Sequence, residues 1–359
     1  MNYLKPTLLA FILALVCGTS FAQRTYVPRN DYHIGADLSF LKQAEDMGVQ
    51  FKENGTVKPG MDIFTDHGYN WIRLRLFHTP SAWTGQWGTL PNDLEYTIAM
   101  AKEAKSKGMK FLLNYHYSDT WADPGKQYIP KAWEGMSHEE LVQAVFDYTL
   151  ETMNAFRDAG VYPDMVQVGN EITNGMLWPD GKLPENWSNF IDLVRAGING
   201  VYASCTARLP APKIMIHIEK GGDKNATKYF FDKIFAAGLP FDVIGQSYYP
   251  WWHGSLLDLR ENMHFMATNY KKDIILVEVA YNMETAEYKD KSGPFPETPQ
   301  GQLEFMQAVH EIILSTPDNR GMGIYWWEPA TRRNGARTYF DREGNVQPVI
   351  TAFDKYTRN

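Results

Sequence analysis

Two glutamates in apolar runs are the side chains in this sequence best suited to chemistry. Glu171 closes the run 166–171, and Glu278 lies in the run 276–279. Hydrolysis of a glycosidic bond uses two such groups, because one carboxylic acid protonates the leaving oxygen while a second carboxylate attacks the sugar or activates water. An unpaired charge is costly inside an apolar strand, which distinguishes these glutamates from ordinary solvated ones. The pair is therefore a candidate for glycosidic-bond hydrolysis if the fold brings both side chains together.

Position in the sequence alone does not exclude other carboxylates from the catalytic pair. Glu219 and Glu328 also close apolar runs, at 213–219 and 322–328. Whichever residue serves as the acid must stay protonated near neutral pH, which requires burial or a neighbouring negative charge. A separation of about 5–5.5 Å between the two carboxyl groups predicts retention of anomeric configuration, and a wider gap predicts inversion.

The elements that must position these residues alternate along the chain. The predicted strands are 34–37, 70–77, 110–116, 166–171, 213–219, 243–249, 274–280 and 322–328. The predicted helices are 62–69, 94–108, 137–160, 187–204, 227–237, 256–270 and 302–315, with 349–356 able to close the ring. Eight such units predict an α/β fold, a single (β/α)8 TIM barrel. An open doubly wound sheet is the alternative, but the glycine-rich phosphate loop typical of that fold does not follow an early strand.

A barrel would gather its strand ends at one rim, where active sites of this fold lie. The polar or aromatic residues near those ends, far apart in the sequence, are therefore expected to converge. They are Asp37, Arg75, His116, Asn170, Glu171, Tyr249, Glu278 and Trp327.

Composition excludes some classes of protein. The chain has 359 residues, of which 44% are hydrophobic and 14% aromatic, enough for a large core. Its net charge of −7, with the signs mixed, argues against a nucleic-acid partner, which would require a basic patch. No linker or repeat divides the chain, and nothing in it demands a partner subunit, so we expect one catalytic domain that is monomeric.

The N-terminus is typical of an export signal. Lys5 precedes an apolar run at 8–16 that is too short to span a bilayer, and Ala22 offers a cleavage site. We predict a signal peptide at 1–22, a catalytic domain at 23–359 without a transmembrane segment, and a secreted, periplasmic or cell-surface location. Cys17 leaves a lipid anchor open, although Val16 fits that signal poorly. With Cys205 the chain has two cysteines, so no disulfide framework is expected.

The run 114–125, NYHYSDTWADPG, and its continuation to Trp133 resemble the signature of family 53 glycoside hydrolases, which are endo-β-1,4-galactanases. Runs that match in order are 35–39, 73–75, 166–171 with 178–179, 244–252 and 327–330, so the resemblance covers nearly the whole predicted mature chain. It implies a retaining (β/α)8 enzyme that cleaves β-1,4-galactan in the arabinogalactan side chains of pectin.

The resemblance also implies roles for single residues. Glu171 would be the acid/base and Glu278 the nucleophile, which Arg75 and Tyr249 would orient and keep ionised. Arg73 is the alternative site arginine. The remaining substrate contacts would come from Asp37, from Asn170 to the sugar 2-hydroxyl, from His116 in the cleaving subsite, and from Trp327 beneath its sugar.

No cofactor is expected, and calcium stays a possibility from the resemblance alone, because loops of some bacterial members bind it. Glu284, Glu287 and Asp290 are available here, but they do not form the dense ligand cluster that calcium favours, so we predict no metal. A barrel hydrolase of mannan or glucan, and a catalytically silent glycan-binding barrel, are the alternative functions.

Overall fold

The computed structural model describes residues 28–85, 90–285 and 293–357. Eight parallel strands close into one barrel, which confirms the predicted TIM-barrel fold. The strands are β1 His33–Asp37, β2 Trp71–Leu76, β3 Lys110–Tyr115, β4 Met165–Val168, β5 Lys213–Ile218, β6 Val243–Tyr248, β7 Asp273–Val279 and β8 Gly321–Trp327. The ring closes because β1 pairs with both β2 and β8. The predicted signal peptide, with Cys17, lies outside the described residues.

Helices connect the strands around the outside of the barrel. They are α1 Leu41–Asp46, α2 Gly60–Asp66, α3 Leu94–Ser106, α4 His138–Asp158, α5 Trp187–Ala203, α6 Lys224–Ala236, α7 Leu256–Tyr270, α8 Pro299–Leu314 and α9 Asp354–Thr357. Capping hydrogen bonds fix the residues at which several helices begin. Ser137 forms a capping box with Glu140 at α4, and the Asp223 carboxylate accepts a hydrogen bond from the Ala226 N–H at α6. The Asp223 cap starts α6 three residues before the predicted position.

Alternation along the strands divides the core into two regions. One set of buried side chains fills the barrel, including Trp71, Met215 and Tyr325. The larger cluster packs between strands and helices. Gly35 is required where β1 passes the Tyr325 ring, because a Cβ at this position would lie 2.2 Å from that ring.

Local elements depart from the predicted pattern. The strand expected at 166–171 ends at Val168, because Gly169 takes a φ of 82° and Glu171 a left-handed φ of 48°. Two small hairpins were not predicted; they pair Phe51–Glu53 with Thr56–Lys58, and Gly175–Met176 with Gly181–Lys182. Among the described helices, none combines the length and apolarity needed to cross a membrane.

Candidate active site

A cavity of about 800 Å³ opens where the carboxyl ends of the strands meet. Six of the eight predicted site residues line it: Arg75, His116, Asn170, Glu171, Glu278 and Trp327. Tyr249 adjoins the cavity through a hydrogen bond to Glu278. Asp37 is fully buried behind two arginines and does not reach the cavity wall. Its predicted direct contact with substrate is therefore not supported by its position.

Glu171 and Glu278 face each other across the cavity floor. Their carboxylates and the His217 ring each place an atom within 4.8 Å of the others. Glu171 reaches this position from the left-handed turn after β4. Glu278 reaches it from within β7, where the pairing with β6 shifts register between Gln246 and Ser247. Irregularities of this kind re-aim side chains next to active sites.

Glu278 is held by a cation and a phenol. Arg73 Nη1 lies 2.8 Å from Glu278 Oε1, and the Tyr249 hydroxyl donates a hydrogen bond of 2.9 Å to Oε2. Burial raises the pKa of Glu278, while the Arg73 charge and the Tyr249 hydrogen bond act in the opposite direction. These two contacts stabilise the ionised carboxylate.

The structure corrects the choice between the two arginines of β2. Arg73 donates hydrogen bonds to Asp37 at 2.9 Å and to Asn170 at 2.8 Å, besides its pair with Glu278. Arg75 instead pairs with Glu328 at 2.7 Å. Both arginines point inward, since they are two residues apart on one strand, but Arg73 is the one that contacts Glu278.

Glu171 is held by a chain of neutral groups. The Ser247 hydroxyl donates a 2.6 Å hydrogen bond to Glu171 Oε1, and His217 Nε2 lies 2.9 Å from the same hydroxyl. Gln167 Nε2 donates to His217 Nδ1 at 3.0 Å, so the ring proton of neutral His217 lies on Nε2 and points to Ser247. Burial keeps the pKa of His217 well below its usual value.

The surroundings of Glu171 favour its protonated form. Burial and the nearby charge of Glu278 raise the pKa of Glu171 well above its usual value. No cationic side chain in the described part of the chain forms an ion pair with it. The two carboxyl groups thus differ in the protonation state that their surroundings favour: Glu171 is suited to act as an acid, and Glu278 as a carboxylate.

Asn170 has one side-chain donor left for a ligand. Its Oδ1 accepts hydrogen bonds from Arg73, Gln167 and Asn114 at 2.8, 3.0 and 3.2 Å. Its Nδ2 donates to the Ala122 carbonyl at 2.9 Å, which uses one of two N–H groups. These contacts fix the amide plane beside Glu171.

His116 and Trp327 form parts of the cavity wall. The Ala122 N–H donates to His116 Nδ1 at 3.0 Å, and burial holds the pKa of His116 well below its usual value, so the ring is neutral. Trp327 packs edge to face with Tyr249 at 6.3 Å between ring centroids. The Arg337 guanidinium lies 4.1 Å from the Trp327 ring centroid.

The two other candidate glutamates are bound to cations. Glu219 pairs with Lys220 at 2.8 Å and accepts a hydrogen bond from the Thr173 hydroxyl at 2.7 Å. Glu328 pairs with Arg75. Neither one is placed like Glu171, which has neutral neighbours and faces a second carboxylate.

The possible metal ligands are engaged within the protein. Glu171, His217 and Glu278 have ligand atoms close enough for an ion, but both His217 nitrogens take part in hydrogen bonds. Glu284 Oε1, a candidate calcium ligand, accepts from the Ala336 N–H at 2.8 Å and pairs with Arg342 at 2.6 Å. Glu287 and Asp290 lie outside the described residues.

Three site residues were missed at the level of sequence: Gln167, His217 and Ser247. Each is a buried polar residue in a strand made mainly of apolar residues. A buried polar group must be hydrogen-bonded, so that pattern is the available signal. It does not indicate which partner each residue meets.

Comparisons with known proteins identify the family of this chain. The model of glycosyl hydrolase family 53 matches the sequence over residues 33–358. A probable arabinogalactan endo-β-1,4-galactanase A of Aspergillus fumigatus is 35% identical over 345 residues, 93% of this chain and 92% of that protein. The family 53 catalytic domain of Ignisphaera aggregans has a TM-score of 0.83 at 30% identity, covering 93% of this chain and 99% of that one. A solved fungal β-1,4-galactanase has a TM-score of 0.79 at 32% identity, covering 89% and 98%. The chain belongs to glycosyl hydrolase family 53.

Proposed function

We propose that this protein is an endo-β-1,4-galactanase that cleaves galactan with retention of anomeric configuration. The buried Glu171 and Glu278 pair carries the proposal, because oxygen atoms of the two carboxyl groups approach within 4.8 Å. Retaining glycosidases separate these groups by about 5–5.5 Å, whereas inverting enzymes leave room for a water. The names of the relatives supply the substrate class.

In the first step, Glu278 attacks the anomeric carbon and forms a glycosyl–enzyme ester. Glu171 donates its proton to the glycosidic oxygen, and the leaving half of the chain departs as an alcohol. Arg73 and Tyr249 orient Glu278 and keep it ionised before the attack.

In the second step, Glu171, now a carboxylate, takes a proton from a water that attacks the anomeric carbon. The ester bond to Glu278 breaks, and Glu278 returns as a carboxylate. Ser247, which His217 orients, holds Glu171 Oε1, and this leaves Oε2 to exchange the proton in both steps.

The remaining residues position the sugar. The free N–H of Asn170 donates to the 2-hydroxyl, His116 lines the cleaving subsite, and Trp327 stacks beneath its sugar. Asp37 affects the substrate through Arg73, which it holds, rather than by touching it. Arg75 supports the rim through Glu328.

The protein is proposed to act as an exported monomer that needs no cofactor. Its signal peptide would be 1–22, followed by the catalytic domain 23–359. The Glu284–Arg342 pair joins the loops after β7 and β8. Activity unchanged by a calcium chelator would support the cofactor proposal, and a loss restored by calcium would refute it.

Linear β-1,4-galactan is the substrate for the first test, with NMR detection of the anomer released initially. Retention predicts the β-anomer; initial α-anomer would contradict the double displacement. Initial rates on mannan and on a soluble cellulose derivative are the controls for the substrate, and a faster rate on either one would overturn the galactan assignment. Tight galactan binding without release of reducing ends would instead favour a silent binding barrel.

A further inference from the structure

One wall of the cavity is basic although the protein is acidic overall. The loop after β8 contributes Arg332, Arg333, Arg337 and Arg342 to this wall. The net charge of the chain is −7. A concentration of guanidinium groups on an acidic protein points to a local function for them, since solubility does not require it.

Among the described residues lining the cavity, a carboxylate neutralises Arg342 of this wall but not its three other arginines. The ion pairs of the cavity carboxylates join Glu278 with Arg73 at 2.8 Å, Glu328 with Arg75 at 2.7 Å, Glu284 with Arg342 at 2.6 Å, and Asp123 with Lys126. Glu171 is the remaining one, and its raised pKa favours the neutral form. Among the described residues, no carboxylate pairs with Arg332, Arg333 or Arg337. Within the described part of the chain, three positive charges of the wall therefore have no carboxylate partner.

The backbone that presents these arginines is fixed by hydrogen bonds. The Thr331 hydroxyl donates to the Arg333 carbonyl at 3.0 Å and accepts from the Arg333 N–H at 3.1 Å. The Trp326 indole N–H donates to the Arg337 carbonyl at 2.8 Å. The Ala336 carbonyl accepts from the Met283 N–H at 2.7 Å. The side chains of these arginines therefore extend from a backbone whose position is fixed.

The basic wall is continuous with the cleaving subsite. Arg337 lies over Trp327, and Trp327 packs against Tyr249, whose hydroxyl binds Glu278. A glycan bound in the cleaving subsite would therefore pass beside the wall as it leaves the catalytic pair.

We propose that this wall, formed by Arg332, Arg333 and Arg337, binds the carboxylate of a uronic acid residue carried on or next to the galactan chain. The inference rests on the proposed function and adds an acidic sugar to its substrate. A neutral galactan offers hydroxyl groups only, which do not require unpaired guanidinium groups. The planar, forked guanidinium matches a carboxylate through two parallel hydrogen bonds.

The test compares two substrates that differ only in charge. One is linear galactan with a small fraction of its C6 hydroxymethyl groups oxidised to carboxylates, and the other is the same preparation reduced back to the neutral polymer. At low ionic strength we expect kcat/KM to favour the acidic substrate by about five- to tenfold, because exposed charge pairs contribute modestly. Added salt should remove most of this preference.

The decisive variant is Arg332→Gln combined with Arg333→Gln. It should lose the preference for the acidic substrate and keep its rate on neutral galactan, because neither residue contacts the catalytic pair. The matched control, Lys224→Gln with Arg260→Gln, removes the same charge from exposed positions on α6 and α7, and should keep the preference. An equal loss in both double variants would overturn the proposal, since net charge alone would then explain it.

Other outcomes separate this inference from the proposed function. Cleavage of neutral galactan without any preference for the acidic form would overturn the basic subsite and leave the galactanase proposal intact. If galactan were not cleaved, calorimetric titration with acidic and neutral galactooligosaccharides would still decide: tighter binding of the acidic one, lost in Arg332→Gln/Arg333→Gln, supports the subsite, and equal affinities overturn it. Tighter binding of a sulfated galactooligosaccharide than of the carboxylated one would overturn the uronic acid assignment.

Discussion

Glu171 and Glu278 share one buried pocket, yet their neighbours prepare them for opposite protonation states. Arg73 and Tyr249 donate hydrogen bonds to Glu278. Glu171 accepts a hydrogen bond from the Ser247 hydroxyl and lies near the negative charge of Glu278. A cation stabilises the ionised form, whereas burial next to a negative charge stabilises the neutral form. Chemical roles at this scale follow from contacts that the amino-acid types alone do not define.

Replacing Glu278 with glutamine should abolish cleavage of galactan by at least about 10⁴-fold while galactan still binds, because the nucleophile is lost and the cavity shape is kept. Reducing-end release and calorimetric binding measure the two properties. Glu219→Gln is the matched control and should stay within about tenfold of the parent rate, since Glu219 is held by Lys220. A comparable loss in the control would contradict the assignment.

The pH profile of kcat/KM should respond oppositely to two hydroxyl deletions. Ser247 donates to Glu171 and lowers its pKa, so Ser247→Ala should raise that pKa and move the alkaline limb to higher pH. Tyr249 lowers the pKa of Glu278, so Tyr249→Phe should move the acidic limb to higher pH. Movement of the same limb in both variants would refute the division of roles.

At the scale of elements, β2 presents two inward arginines with separate tasks. Arg73 joins Glu278, Asp37 and Asn170 from three other strands or strand ends, whereas Arg75 meets Glu328 after β8. The planar fork of Arg73 makes these contacts together, which a flexible ammonium group does not reproduce.

Arg73→Lys should therefore lower kcat by about 100-fold or more, because Glu278 and Asn170 lose their common donor. Steady-state kinetics on galactan measures this effect. Arg75→Lys is the comparison and should lower kcat less, since its ion pair is with Glu328. Equal losses in the two variants would show that the arginines act as one unit.

Prediction from sequence succeeded where periodicity carries the information. Eight apolar runs separated by helical patterns were sufficient for the barrel and for the rim on which Glu171 and Glu278 meet. Which arginine reaches Glu278 depends on strand tilt and stagger, which the alternation within β2 does not encode. The early end of β4 follows from the positive φ of Gly169 and the left-handed φ of Glu171. The conformation at Glu171 is rarely adopted by residues other than glycine, so the residue type at 171 does not indicate it.

At the scale of the whole molecule, buried neutral histidines make the free energy of unfolding depend on pH. Burial lowers the pKa of His33 and of His310 to about 3. His310 packs among the rings of Tyr32, Phe353 and Tyr356, near the closure of the barrel. An unfolded chain exposes these imidazoles, which then bind protons near their ordinary pKa of about 6.5.

Stability should therefore fall as the pH drops from about 6.5 toward 3, because the unfolded state binds more protons than the folded state in that window. Thermal unfolding at pH 7 and pH 4.5 measures the effect. In His310→Phe the Tm should fall less between these two pH values, since one proton-binding group is gone. Parallel changes in the parent and the variant would contradict a contribution from His310.

The pairing of β1 with β8 has a consequence for how the chain is made. β1 ends at Asp37 and β8 begins at Gly321, so the first strand keeps an unpaired edge while about 280 further residues are synthesised. At ordinary rates of translation this interval lasts on the order of 14 to 60 s. An exposed strand edge is a template for pairing with another chain, so this edge is where the nascent protein is open to aggregation until its last strand emerges.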